Sequence, residues 1–103
     1  MIMRIKSCGD NHMTVDRMYK DFNIVGKEVE IKLFDAPDSM WNDYYMPAIV
    51  TDEHRKFITV EIQPHKNPYS NYGMSKPYPM CINKSRIWLG SVILVVDGMR
   101  FKQ

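Results

Sequence analysis

The sequence predicts a mostly β (α+β) domain: a small barrel or strongly bent antiparallel sheet with one short N-terminal helix. Three observations carry that expectation. Apolar and polar residues alternate at period two in KEVEIKLF and again in KFITVEIQ. SVILVVDG holds five consecutive apolar residues, mostly β-branched. Only one stretch, near the N-terminus, shows the helical period of 3.6.

Met1 to Lys6 alternate loosely and read as a short strand. Ser7, Gly9, Asp10 and Asn11 then signal a turn. Thr14 suits a helix N-cap, and Asp16 complements the dipole in the first turn. Val15, Met18, Tyr19 and Phe22 follow at i, i+3, i+4 and i+7 as one apolar face, and Asn23 and Gly26 end the helix. The first strand is KEVEIKLF, with Val29, Ile31 and Leu33 inward. Asp35 to Asp43 reads as an acidic loop. Tyr44 to Thr51 reads as a second strand, with Ile49 inward. Its Pro47 cannot donate to a ladder and so predicts an edge or a bulge. Asp52 to Arg55 is a turn, which makes Lys56 to Gln63 the return strand of a hairpin with Ile58, Val60 and Ile62 inward.

His65 to Pro79, HKNPYSNYGMSKPYP, contains three tyrosines, three prolines and two lysines without an acid, and reads as an irregular loop. PMCIN opens a fourth strand, KSRIWLGS is ambiguous, and SVILVVDG is a buried final strand. Asp97-Gly98 signals a tight turn, so Met99 to Lys102 forms a short return strand or tail. Residues 1–103 are thus expected as one domain, with an extension over 1–25, a β unit over 26–98 and a tail over 99–103. Ile82, Ile87, Val92, Leu94 and Val96 complete the expected core.

Between Gly26 and Asp97 the order is GKEVEIKLF, a loop reaching Trp41, the hairpin YMPAIVTDEHRKFITVEI, an irregular stretch, and INKSRIWLGSVILVV. This order resembles the SH3-like small β-barrel in the broad sense that includes Tudor and KOW domains. The chain lacks the acidic, proline-binding signature of signalling SH3 domains and carries a longer insertion before its fourth strand. An OB-type barrel is the nearest competitor, and the resemblance does not by itself fix a function. It does not choose among peptides, methylated side chains, RNA and DNA, all of which such barrels bind.

Composition excludes several classes. The net charge of +2 is too small to argue for a nucleic-acid binder. No apolar run has signal-peptide or membrane-spanning length, so a soluble cytoplasmic protein without membrane contact is expected. Cys8 and Cys81 have no zinc-spaced partners and read as free thiols, with no metal and no cofactor. Asp35, Asp38 and Asp43 do not match a calcium loop. Cys8 and His12 stand four apart, but no third group orients them, so no catalytic residue is assigned. Ten isoleucines against three leucines, and nine lysines against five arginines, imply an AT-rich gene, such as that of a low-GC bacterium or its phage.

Two aromatic loops remain as candidate binding elements. Trp41, Tyr44, Tyr45, Tyr69, Tyr72 and Tyr78 would anchor a protein partner as rigid hot-spot side chains. The leading expectation is a non-catalytic binding protein, and one suited to be a phage-encoded inhibitor of a host defence protein acting in the bacterial cytoplasm. The alternative is a nucleic-acid or nucleotide module. There the tyrosines of 65–79 stack on bases while Lys66, Lys76, Lys84 and Arg86 meet phosphates. The same tyrosines would otherwise fold back over the barrel mouth. Exposed edge strands would permit a homodimer.

Overall fold

The computed structural model describes residues 16–35, 44–68 and 73–103. Its frame is a six-stranded antiparallel sheet in the order β6-β3-β2-β1-β7-β8. The strands are β1 (Glu28–Leu33), β2 (Met46–Glu53), β3 (Phe57–Ile62), β6 (Tyr78–Asn83), β7 (Val92–Val96) and β8 (Met99–Arg100). A two-stranded ladder, β4 (His65–Lys66) with β5 (Gly73–Met74), stands apart from it. One helix, α1 (Lys84–Trp88), joins β6 to β7. Among the described residues no helix is long and apolar enough to cross a membrane.

Alternation builds one buried face. Val29, Ile31 and Leu33 of β1 face inward with Ile58, Val60 and Ile62 of β3, Ile82 of β6, and Val92 and Leu94 of β7. Each such side chain, once fully buried, contributes roughly 1.5–3 kcal/mol of transfer free energy. Phe22, Ile24, Tyr44 and Ile87 complete this core from the connecting segments.

On β2 the phase differs from expectation. Met46, Ala48 and Val50 are buried, whereas Ile49 is half-buried on the opposite face, across from Glu28 and Glu61. The cause is register: Ala48 pairs with Ile62, which places the even-numbered residues of β2 over the core. Val96 is also only partly buried, packed against the core rather than within it. β7 is likewise not buried on both faces, since Ile93 and Val95 are half-buried.

Pro47 occupies neither an edge nor a bulge. β2 lies between β1 and β3, and its register shift comes later, between Val50 and Asp52. Pro47 is tolerated because it sits beyond the last residue of β3. Its carbonyl accepts from the Gln63 amide (2.8 Å), and only the reciprocal donor is missing.

Proline does mark an edge at β6. The Lys84 amide donates to the Lys56 carbonyl (2.8 Å), which fixes the phase of the β3–β6 ladder. In that phase Tyr78, Met80 and Ile82 direct their backbone groups to β3, while Pro79, Cys81 and Asn83 direct theirs to the open side. The other edge is β8, paired only with β7. No ladder joins β6 to β7 or β8, so the sheet is an open small antiparallel domain rather than a closed barrel.

Local chemistry accounts for the remaining differences. The expected N-terminal helix covers residues 16–18 among the described positions and has ended well before Phe22. There the amides of Phe22 and Asn23 leave helical bonding and donate to the Glu53 carboxylate at 2.6 and 3.1 Å. The strand expected over 1–6 lies outside the described residues. The loop of 65–79 is not wholly irregular, because β4 and β5 pair within it. Gly73 permits that pairing: a Cβ there would meet the His65 carbonyl oxygen at 3.0 Å. The Asp97-Gly98 turn has φ of 54° and 78°, both positive as a type I′ hairpin requires, and it returns the chain as β8.

Candidate binding surface at the loop end of the sheet

The register decides where the two aromatic loops emerge. Ile31 pairs with Met46, Ala48 with Ile62, Ile62 with Tyr78, and Leu33 with Val92. The end of β1, the start of β2, the end of β3 and the start of β6 therefore lie at one end of the sheet. The loops at 34–45 and 63–77 both leave from that end.

The described aromatic residues there have different roles. Tyr45 and Tyr78 are 43% and 53% exposed, and Phe34 is 46% exposed beside them in the chain order of the first loop. Tyr44 is buried. Its hydroxyl lies 2.6 Å from His65 Nε2, and His65 Nδ1 lies 2.7 Å from the Gln63 carbonyl oxygen. The carbonyl can only accept, so Nδ1 carries a proton; in the neutral ring Nε2 then accepts from the phenol. Burial pushes the Tyr44 phenol up, which keeps it a donor. This clasp joins the start of β2 to β4, and so joins the two loops. Trp41, Tyr69 and Tyr72 lie outside the described residues, as do Cys8 and His12.

Beside the clasp is a cavity of about 420 Å³, lined by Lys32, Tyr44, Tyr45, Pro47, His65, Lys66 and Pro68. Lys32 Nζ stands 5.1 Å from the Phe34 ring centre and 5.4 Å from that of Tyr45, within reach of cation–π attraction. Lys66 and Lys76 are exposed. Lys32 and His65 escaped the sequence reading. The first was recoverable, because Lys32 and Phe34 are two apart at the end of a strand and share a face. The Tyr44–His65 contact was not, since it spans 21 positions and depends on how β4 folds back.

Two expected phosphate-contacting residues are committed elsewhere. Lys84 is 1% exposed and its ammonium is surrounded: 2.8 Å from Glu53 Oε2, 2.9 Å from the Lys20 carbonyl oxygen and 4.6 Å from the Phe22 ring centre. It belongs to the interior and not to a surface stripe. Arg86 makes a two-pronged pair with Asp35, with Nε and Nη2 each 2.6 Å from a carboxylate oxygen. The Arg86 hydrogen bonds hold the Asp35 carboxyl below the usual carboxylate range despite opposing burial.

Cys81 is free and exposed on β6. Among the described residues no three His, Cys, Asp or Glu side chains gather in a way that could hold a metal. No protein-family model, curated protein or solved structure matches the chain.

Proposed function

We propose that the chain is a non-catalytic binding protein that engages a protein partner through the loop end of its sheet. One observation supports this most: the strand register gathers both aromatic loops at a single end, where Tyr45 and Tyr78 expose about half of their surface. Exposed tyrosines supply large, rigid contact area at low entropic cost and are enriched among hot spots. Trp41, Tyr69 and Tyr72 belong to the same two loops in sequence. Composition adds a direction. A residue usage that implies an AT-rich gene, and the small size of the chain, suit a phage-encoded inhibitor that covers a surface of a host protein in the bacterial cytoplasm.

The finer fold reading belongs with this proposal. The meander of β1, β2, β3 and β6, the short helix and the return of β7 beside β1 are compatible with an unclosed SH3-like strand order, which by itself does not set what is bound.

Photo-crosslinking side chains placed at Tyr45, at Tyr78 and, as a control, at Lys56 in the opposite hairpin test the proposal in a low-GC bacterial host. One adduct shared by Tyr45 and Tyr78 and missing from Lys56 is expected. Alanine at both tyrosines should weaken capture by roughly 30-fold or more, the value of one hot spot of about 2 kcal/mol. Adducts equally strong from Lys56, or capture indifferent to the double substitution, would overturn it.

A further inference from the structure

The cavity beside the Tyr44–His65 clasp has a chemistry of its own. Among the described residues, its lining brings two lysines, two tyrosines, a histidine and two prolines together without a carboxylate. Lys32 and Lys66 belong to no ion pair among the described residues. The nearest acid along β1 is Glu30, which with Glu28 lines a separate cavity of about 820 Å³. The outer face of the sheet is therefore acidic around Glu28 and Glu30 and basic at the loop end. Lys27, Lys84 and Arg86, by contrast, are each paired with an acid.

We infer that this cavity binds a small ligand carrying a planar ring and a phosphate monoester, of which a nucleoside monophosphate is the type. The volume of about 420 Å³ falls within the roughly 300–1,000 Å³ common for small-ligand sites. A phosphate monoester carries about −1.5 to −2 charge near neutral pH, which matches the two lysine charges. Tyr45, 43% exposed, forms part of the cavity wall, and a base would stack on the side of its ring turned away from Lys32, an interaction worth about 1–3 kcal/mol. The ring faces of Phe34 and Tyr45 hold the Lys32 ammonium beside that wall. The β4–β5 ladder, which pairs Lys66 with Gly73, fixes the second cation. Of the sequence-expected set, Lys84 and Arg86 are paired to acids, and the cavity joins Lys66 to Lys32 instead. The inference shares Tyr45 with the protein-partner reading but turns on Lys32 and Lys66 and makes no use of Tyr78.

Calorimetric titration of the full chain at low ionic strength with AMP, with adenosine and with inorganic phosphate tests it. AMP should bind more tightly than either fragment, and added salt should weaken it. Lys32→Met and Lys66→Met should each lower AMP affinity about tenfold, the weight of one charge-assisted contact, while Lys56→Met leaves it unchanged. Lys66 is exposed, so its substitution leaves the fold intact, and circular dichroism verifies this for both variants. AMP binding no tighter than inorganic phosphate would overturn the inference, as would both variants binding like the parent. Unchanged crosslinking at Tyr78 in Lys66→Met would show that the two readings fail or stand separately.

Discussion

Replacing Lys84 with methionine tests how the interior is held together. Lys84 and Glu53 have side chains 1% and 8% exposed and sit 2.8 Å apart. Around them the amides of Phe22 and Asn23 donate to Glu53, and the Lys20 carbonyl accepts from Lys84. Gln103 Nε2 spans the Met18 and Lys84 carbonyls at 2.8 and 3.0 Å. Methionine fills much of the lysine volume but strands a buried carboxylate. Breaking a buried pair in this way costs about 3–5 kcal/mol, a fifth or more of the roughly 5–15 kcal/mol that stabilises a typical domain. Urea unfolding followed by circular dichroism should register that loss, and thermal unfolding a fall of about 15–30 °C. Adding Glu53→Gln should make the double variant cheaper than the sum of the singles by about 1–3 kcal/mol.

The pH dependence sharpens the test. Burial pushes the Glu53 carboxyl up, but its bonds to Lys84 and to the Phe22 amide outweigh burial and hold it below the usual range. A carboxyl depressed on folding adds stability that is present above its unfolded value and is lost as pH falls through the folded one. Without Lys84 the largest of the bonds that oppose burial is gone, and with it the stability that depends on the ionised carboxyl. The gap between parent and Lys84→Met should therefore be widest near neutral pH and shrink on acidification. A gap that does not change with pH, or strictly additive single variants, would refute the account of the pair.

Two further expectations concern the periphery. Asp35→Asn should cost no more than about 1 kcal/mol, because the Asp35 and Arg86 side chains are 28% and 31% exposed. In the parent, that contribution is present above the unfolded Asp range and fades as pH falls through the lowered folded value, so the variant should lose this acid-side slope in urea titrations. Gly98→Ala should cost about 1–2 kcal/mol through its φ of +78° alone, since nothing lies within 4 Å of the added methyl. An unchanged denaturation midpoint would refute the type I′ reading of that turn.

Much of the frame was legible in the chain. β1 and β3 alternate cleanly, and the Asp97-Gly98 dipeptide announces its own hairpin. The β2 phase was not legible, because YYMPAIV is apolar at every position and only the Ala48–Ile62 pairing chooses a face. Lys84 was misplaced for a related reason. Nothing local in NKSRIW distinguishes a solvated lysine from a buried one, and its partner Glu53 lies 31 positions away. The short α1 helix follows an Asn83 whose side chain makes no capping bond, so the usual start signal is silent. At the candidate site, Tyr44 and Tyr45 are chain neighbours with opposite fates, one clasped by His65 and one exposed. Identity alone could not separate them.

The placement of Pro79 has a consequence for how these molecules behave in company. An open sheet is ordinarily a template, since each unpaired border strand invites the next chain to continue the pattern. Here one border is interrupted by a residue with no hydrogen to give and runs straight into α1, and the other is two residues long and ends in Arg100. A newcomer strand finds too few consecutive rungs on either side to hold on. The fold can thus leave its sheet unclosed and still act as a terminus, a piece that finishes a pattern instead of propagating it.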